Sequence, residues 1–581
     1  MLWRVTWPYL RTHWGLLLGV ITLQLIATIA ALYLPDLNAS IIDEGVIAGD
    51  VARVWTLGAI MLAISTVQGI TAGIAVYISA KLAMGLGAHL RAEVFDHVEA
   101  LSSREIHDFG APSLITRSTN DVQQIQMVVL MIFNFMIAAP IMGVGGAVMA
   151  LNMNMRLSTL LIIVVPIIGV IVGTAFVILN PLFQSQQTRL DNMNTVLREE
   201  LTGIRVIRAF VRQDEFARRY TDANNALKEV ALRIGMVFAV IFPLLTVVFS
   251  LGSIAVIWFG GHLVDAGEME IGALIAYISY FAMIFGATMT ASMLFFMLPR
   301  AAVTSKRVYE VLTAVSSVQP PPSREATPVP DGPLTFTFDR VQVRYPGAEE
   351  AVLQDISVSL PPAATTALVG STGSGKSTFA NLLPRLMDPS QGKVTVNGID
   401  ITTVEPNDLR STIGFVPQSA YLFSGTIAST VSGIPYPSVE VRAQIEKALE
   451  GAQAMEFVSD LEGGLDAPVD AGGRNFSGGQ RQRLTMARAL FRRASLYVFD
   501  DSFSALDYAT DAEIRNNLRT YVGDAAVLIV AQRVATIRHA DQILVLDDGR
   551  IIARGTHKEL LATSSTYRQI VESQLALEEG E

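Results

Sequence analysis

Residues 370–378 read Gly370-Ser371-Thr372-Gly373-Ser374-Gly375-Lys376-Ser377-Thr378, directly after the apolar run TTALV at 365–369. A β-rich run, a glycine loop and Gly-Lys-Ser-Thr opening a helical stretch together describe a phosphate-binding loop. The glycines let backbone N–H groups wrap an anion, Lys376 reaches the outer phosphates of a nucleotide, and Ser377 offers its hydroxyl to Mg²⁺. The loop sets the fold of everything around it. FTFDRVQVRY (336–345), LYVFD (496–500), AAVLIV (525–530) and QILVLDDGRII (542–552) are β-rich runs separated by helical stretches, so the C-terminal part is an α/β P-loop NTPase.

Two further motifs follow in the same domain. The strand LYVFD ends on Asp500, the kind of acid that holds Mg²⁺ in P-loop enzymes. An Asp pair at a strand end can also be a turn or a helix cap, but this one follows a phosphate loop. Between the two lies FSGGQRQRLTMARAL, where Ser477, Gly478, Gly479 and Gln480 open a helix. Small residues with free N–H groups at a helix start make a site for an anion.

The N-terminal half is a different material. Of the 581 residues, 51% are hydrophobic and only 17% charged, against about a quarter charged in an ordinary soluble chain. Apolar runs lie near Trp14–Leu34, Trp55–Ala80, Met127–Leu151, Leu157–Leu179, Gly235–Gly260 and Ile271–Leu298, none with Asp, Glu, Lys or Arg inside. Each has the roughly 20 residues a helix needs to cross a bilayer. The first run is too long for a signal peptide, and Trp3, Trp7 and Tyr9 before it suit an interfacial helix. Basic residues crowd Lys81–Asp121 and Asn180–Arg233, while the segments Asp36–Arg53 and Gly261–Glu270 hold only Arg53. The positive-inside rule therefore puts the two long segments and both termini in the cytoplasm. LDNMNTVLREELTGIRVIRAFVRQDEFARRY (190–220) has helical periodicity and should run on as helix beyond the bilayer. A Pro-rich stretch, SVQPPPSREATPVPDGP (317–333), separates the halves. The expected organisation is a membrane domain at 1–312, a linker at 313–333 and a nucleotide-binding domain at 334–581. The net charge of −10, with no Lys/Arg block, speaks against a nucleic-acid partner, and the absence of cysteine excludes thiol chemistry and disulfides.

The ordered motifs, with membrane spans before them, resemble the ATP-binding cassette (ABC) transporters, and among these the half-transporters of the multidrug and lipid exporter branch. The resemblance covers nearly the whole chain. It implies a multi-domain fold: an all-α polytopic membrane domain of six helices with long cytoplasmic extensions, plus the α/β cassette. It further implies that Tyr345 stacks on adenine, that Gln418 senses Mg²⁺ and the membrane domain, and that Asp507, ending SALD, crosses a dimer interface. ITRSTNDV (115–122) and LTGIRVIRAF (201–210) resemble the two coupling helices. Two cassettes would sandwich two ATP molecules, each held by one chain's phosphate loop and the other chain's SGGQ.

The sequence departs from that pattern at two catalytic positions. Asp501 stands where the family has a Glu that polarises the attacking water, and Gln532 where it has a switch histidine. Losing one methylene withdraws the carboxylate by about 1.5 Å, and misplacements near 1 Å can cost around a hundredfold in rate. A neutral amide can bond a phosphate but cannot carry positive charge or relay a proton. The signature SGGQ is intact, with Phe476 before it, while Ala471 stands where many exporters have Glu. The combination resembles the degenerate-site subunit of heterodimeric bacterial exporters in the cytoplasmic membrane. A slow homodimer, an ATP-gated channel and an importer share the architecture. Gln24, Gln68, Asn134 and a face of Met289, Met293 and Met297, without a charge in the spans, suit hydrophobic or amphipathic cargo such as lipids or drugs.

Overall fold

The computed structural model describes residues 1–322 and 325–578; the side chains of 293–296, 298–300 and 575–578, and so that of Met293, lie outside the described residues. Contacts divide the chain into two units, Met1–Glu99 with Gly110–Ala314, and Ala100–Phe109 with Val315–Glu581.

The first unit is helical. Among the described residues, six helices are long and apolar enough to cross a membrane: Trp14–Ile47, Val51–Ala100, Ala111–Met153, Thr159–Ala209, Gln213–Asp265 and Ile271–Ser292, the last part of a helix reaching Leu312. They coincide with the six apolar runs. A short helix, Leu2–Thr12, precedes them with Trp3 and Trp7 stacked at 4.3 Å and both exposed. The sixth helix supplies much of the core. Tyr277, Tyr280 and Phe281 are buried, Tyr280 donates to the Leu32 carbonyl at 2.9 Å, and Phe281 stacks on Phe249 at 5.5 Å. Of the polar span residues, Gln24 is buried, and Gln68 and Asn134 are half-buried. The N-terminal half of Val51–Ala100 leaves Trp55, Leu62 and Ile70 exposed.

Three expectations for this unit change. The outer loop expected at 36–53 shrinks to a turn, because helix continues to Ser40 and then, as wider π-helical turns, over Ile41–Ile47. Partners hold that acidic turn: Asp43 accepts the Gly272 N–H at 2.7 Å, capping the sixth helix, and Glu44 accepts from Arg53. The segment 190–220 is not one helix. It reverses at 210–212, where Val211 takes φ 54°, a conformation costly for a β-branched residue, so LTGIRVIRAF closes the helix Thr159–Ala209. ITRSTNDV belongs to the third span, Ala111–Met153, through a π-helical turn at Arg117–Asp121. Gly110 at φ 75° and Pro112 in the first turn restart the helix at Ala111, and it is the short helix Ser103–Phe109 that groups with the second unit. The π-turn's charges are matched within the unit: Arg117 donates to the Arg307 carbonyl at 2.7 Å and to Glu310 at 3.1 Å, and Arg307 pairs with Asp121 at 3.3 Å.

The second unit contains β1 (Phe336–Val343), β2 (Leu353–Leu360), β3 (Thr365–Gly370), β4 (Gln391–Val396), β5 (Ile399–Asp400), β6 (Ile413–Val416), β7 (Gly425–Thr426), β8 (Pro468–Val469), β9 (Leu496–Asp500), β10 (Ala526–Val530), β11 (Gln542–Asp547) and β12 (Arg550–Gly555). The main sheet has the order β12-β11-β3-β10-β9-β6, parallel except for β12, and a smaller antiparallel sheet has the order β2-β1-β4-β5. Ala367 and Val369 of β3 face one core with Met486, Phe499 and Ile529; Leu368 faces another with Phe338, Phe379 and Val498. A strand covered on both faces reads as an unbroken apolar run, as TTALV and LYVF do. Between Leu312 and β1 the Pro-rich segment is tied down at intervals. The buried Arg385 donates to the Gln319 carbonyl at 2.8 Å, and Thr327 N–H donates to Thr403 at 2.9 Å.

Candidate nucleotide site

The site gathers where β3, β9 and β10 end side by side, as ligand sites do at the carboxyl edge of parallel sheets. A Cβ on Gly370 would overlap the Leu546 carbonyl oxygen, and Gly375 sits at φ 101°, so glycine is needed at both ends of the loop. Lys376 is 8% exposed and folds over the loop, its ammonium donating to the carbonyls of Gly370 (2.9 Å) and Ser371 (2.7 Å). Burial pulls its pKa below the usual lysine range, opposed by the charges of Asp501 and Asp500. Ser377 donates to Asp500 Oδ1 at 3.3 Å. Asp500 is buried, and burial pushes its pKa up, with the Ser377 bond and Lys376 opposing and Asp501 adding to the rise. The Ser374 hydroxyl is buried without a hydrogen-bond partner among the described residues.

Asp501 is the centre of a small network. Its Oδ2 accepts from the Gln532 amide at 2.9 Å and from the Gln418 amide at 3.4 Å. Its backbone is left-handed at φ 47°, and its N–H donates to the Val530 carbonyl at 2.9 Å. Burial raises its pKa, countered first by Lys376 and then by the two amides and Arg533. The structure therefore brings together Lys376, Ser377, Gln418, Asp500, Asp501 and Gln532, residues up to 156 positions apart in the chain.

Tyr345 stands at the edge of this group. Its hydroxyl lies 3.2 Å from Thr378 Oγ1 while the side chain stays 40% exposed, leaving a ring face for a base beside a cleft of about 420 Å³ lined by Arg344, Pro346 and Gly347. The signature turn is built separately. Ser477 caps helix Gly478–Phe491, with Gln480 N–H on Ser477 Oγ at 3.3 Å and Ser477 N–H on Gln480 Oε1 at 2.9 Å. That capping box leaves the Gly478 and Gly479 N–H groups at the helix start unpaired by the helix itself. Phe476 is buried edge-on to Phe457, ring centroids 6.4 Å apart. Asp507 caps the next helix, Tyr508–Val522, accepting the Thr510 N–H and hydroxyl, both at 2.9 Å; those bonds hold its carboxyl below the usual range. Among the described residues, the side-chain hydrogen bonds of Ser477, Gln480 and Asp507 stay within their own turns and reach no group of the phosphate loop. One participant carries no motif at all: Gln574, on helix Ser565–Glu578, bonds the backbone around Gln532.

Two family models match the chain, the ABC transporter transmembrane region over residues 17–288 and the ABC transporter model over 353–504. An uncharacterized ABC transporter ATP-binding protein of Mycobacterium tuberculosis is 44% identical over 97% of both chains. The chain belongs to the ABC transporters. It joins a transmembrane region and an ATP-binding cassette in one polypeptide, half of what a complete ABC transporter contains. An ABC transporter ATP-binding protein of Bacillus subtilis, YfiB, is 33% identical over 98% of both chains. An ATP-dependent lipid A-core flippase of Vibrio vulnificus is 27% identical over 97% of this chain and 96% of its own. The fold matches a bacterial Atm1-family ABC exporter with ATP bound at a TM-score of 0.81, with 23% identity over 96% of this chain and 99% of that one. As a cassette-bearing transporter subunit, the chain binds ATP, and ATP hydrolysis is the activity its family implies.

Proposed function

We propose that this ABC transporter chain is one subunit of a dimeric exporter or flippase for hydrophobic or amphipathic compounds. Its own ATP site holds nucleotide better than it cleaves it, and its mate is an unlike half-transporter. The observation that carries this is Asp501. A general base must meet the attacking water with a basic, available oxygen. Here the carboxylate is one methylene shorter than Glu, and the oxygen nearest Gln532 is already taken by two amide donors. Gln532 offers a hydrogen bond and no proton.

Binding is not impaired in the same way. Lys376 and the loop N–H groups remain to hold phosphates, and Tyr345 to hold the base. Ser377 and Asp500, a hydroxyl and a buried carboxylate joined at 3.3 Å, are hard oxygen donors suited to Mg²⁺, and Gln418 lies close by. Mg²⁺ bound there would neutralise charge on the outer phosphates. The unpaired N–H groups of Gly478 and Gly479 suit the γ-phosphate of ATP held by another chain. In a heterodimer they complete the competent site, with the mate supplying Glu and His. The intact signature equally serves a second copy of this chain, which is the homodimer reading. Export of apolar cargo is supported by the flippase and exporter relatives and by the uncharged spans. The basic inner segments support cytoplasmic termini, and the bacterial relatives support the cytoplasmic membrane.

The test is phosphate release by the purified full-length chain, alone and with any half-transporter encoded beside it. A slow lone chain is expected, with a fast pair that loses activity on Ser477→Arg far more than on Asp501→Asn. Fast turnover by the lone chain, abolished by Asp501→Asn, would overturn the unequal pair in favour of a homodimer.

A further inference from the structure

The switch residue Gln532 sits just after β10, in a loop that must hold its amide toward Asp501. Its neighbour Arg533 caps helix Val534–Ile537 without a side-chain cap, so the helix's first N–H needs a partner from elsewhere. That partner is Gln574, 40 residues away: its Oε1 accepts the Val534 N–H at 2.7 Å, and its Nε2 donates to the Gln532 carbonyl at 2.6 Å. One planar amide thus pairs both backbone groups that flank Arg533, much as a neighbouring strand would. Arg533 in turn lies over the Tyr508 ring at 5.2 Å, next to Asp507.

The helix carrying Gln574 is firmly seated. Tyr567 is fully buried with its hydroxyl 2.8 Å from His557 Nδ1, and Val571 is buried in the same core. Tyr567, Val571 and Gln574 follow one another at spacings of four and three, one face of the helix. Two anchors and the amide are therefore parts of a single rigid stripe.

We propose that Gln574 is a positioning residue for the nucleotide site, fixing the switch loop so that Gln532 meets the outer phosphate of ATP beside Asp501. This rests on the reading that the loop faces bound ATP. Since ADP lacks the outer phosphate, the clamp acts on the preference for ATP over ADP and leaves the shared phosphates alone. Through it, the C-terminal helix becomes part of how the cassette distinguishes its two nucleotides.

The experiment uses the full chain in lipid nanodiscs, with ATP and ADP competing against a fluorescent ATP analogue. Gln574→Met keeps the length and loses both bonds, and should lower the ATP-over-ADP preference about fivefold to tenfold with ADP affinity within about twofold. Gln532→Met should do the same, and adding Gln574→Met to it should cost less than about twofold more, because both act on one contact. Ile570→Ala, which loosens the helix's packing without touching the clamp, should leave the preference intact. Additive effects of the two methionine variants, equal weakening of ATP and ADP, a matching loss from Ile570→Ala, or no preference in the unaltered chain would each overturn the proposal. A chain that binds neither nucleotide would instead sink the ATP reading of the site, whereas a preference that survives Gln574→Met sinks only the clamp.

Discussion

Replacing Asp501 by Glu and Gln532 by His in the same chain should turn a holding site into a cleaving one. The added methylene extends the carboxylate by about 1.5 Å, and a correction of that size can return up to about a hundredfold in rate. A histidine that carries charge or relays a proton is worth a further factor in the range of about 10²–10⁴ where geometry allows. Against this stands the backbone. Asp501 is left-handed at φ 47°, a conformation that short polar side chains tolerate and longer ones pay for, at roughly 1 kcal/mol or about a fivefold loss. The longer side chain must also leave the Gln418 bond at 3.4 Å and the Gln532 bond at 2.9 Å, which frees the oxygen those amides occupy. The net expectation is a gain of about tenfold for Asp501→Glu alone, larger with Gln532→His. The assay is phosphate release by the reconstituted full-length chain with Mg²⁺ and saturating ATP, beside Asp501→Asn as a floor. A double variant that binds ATP normally but stays within twofold of the unaltered chain would refute the view that these two side chains limit hydrolysis.

Burial raises the pKa of Asp500 above its unfolded value, so the charged form costs stability above the raised folded-state pKa, a cost lost as pH falls toward the unfolded value. Asp500→Asn should therefore raise the melting temperature of the nucleotide-free protein at a pH above the raised pKa, the gap closing as pH falls from there toward the usual carboxylate value of about 4, while the shift produced by Mg²⁺ and ATP is lost. Asp43→Ala removes the cap on the sixth helix and should cost about 1 kcal/mol by thermal unfolding in detergent. Gly272→Val should cost more, since a Cβ there overlaps the Ala39 carbonyl and the Asp43 carboxylate. Phe476→Ala should destabilise the cassette by about 3 kcal/mol or more in denaturant melts, whereas Phe476→Leu should stay under about 1.5 kcal/mol, because the pocket against Phe457 accepts a hydrophobe of similar volume.

What could be read from the sequence was what local chemistry dictates. The phosphate loop, the apolar strands and the six spans each declare themselves within a single short stretch of sequence, and the structure has them in place. What escaped was set by partners far along the chain. The acidic stretch after Pro35 reads as a loop until Gly272 and Arg53 supply the groups that keep it helical. The stretch 190–220 keeps a helical period through the reversal at Val211, because periodicity does not report the sign of φ. ITRSTNDV resembled a coupling helix by its motif, yet Arg117 and Asp121 are occupied with Arg307 and Glu310. Gln574 lay hidden for a plainer reason: a single Gln on an amphipathic helix looks like any solvated side chain until the loop it serves is folded against it.

If Asp501 and Gln532 hold the catalytic positions proposed for them, their hydrogen bond makes the two departures one change rather than two. An anionic carboxylate held back by a methylene needs donors, and Gln532 is a neutral donor that satisfies it at 2.9 Å without a proton to exchange. With histidine at 532 and aspartate at 501, a charged ring would face a carboxylate too short to reach the water, tying up the switch in an ion pair. With glutamate and glutamine, the base would have no charged partner to hold the leaving phosphate. Aspartate with glutamine is the combination in which both groups are satisfied in the absence of turnover. A site so satisfied contributes to closing a cassette pair through binding alone: ATP at a hundred times its Kd adds about 2.7 kcal/mol to whichever state binds it, enough to shift a two-state equilibrium about a hundredfold. In the unequal pair proposed above, hydrolysis would be needed only where the signature of this chain meets the phosphate loop of its mate, and the capping box of Ser477 and Gln480 would keep that signature ready-made.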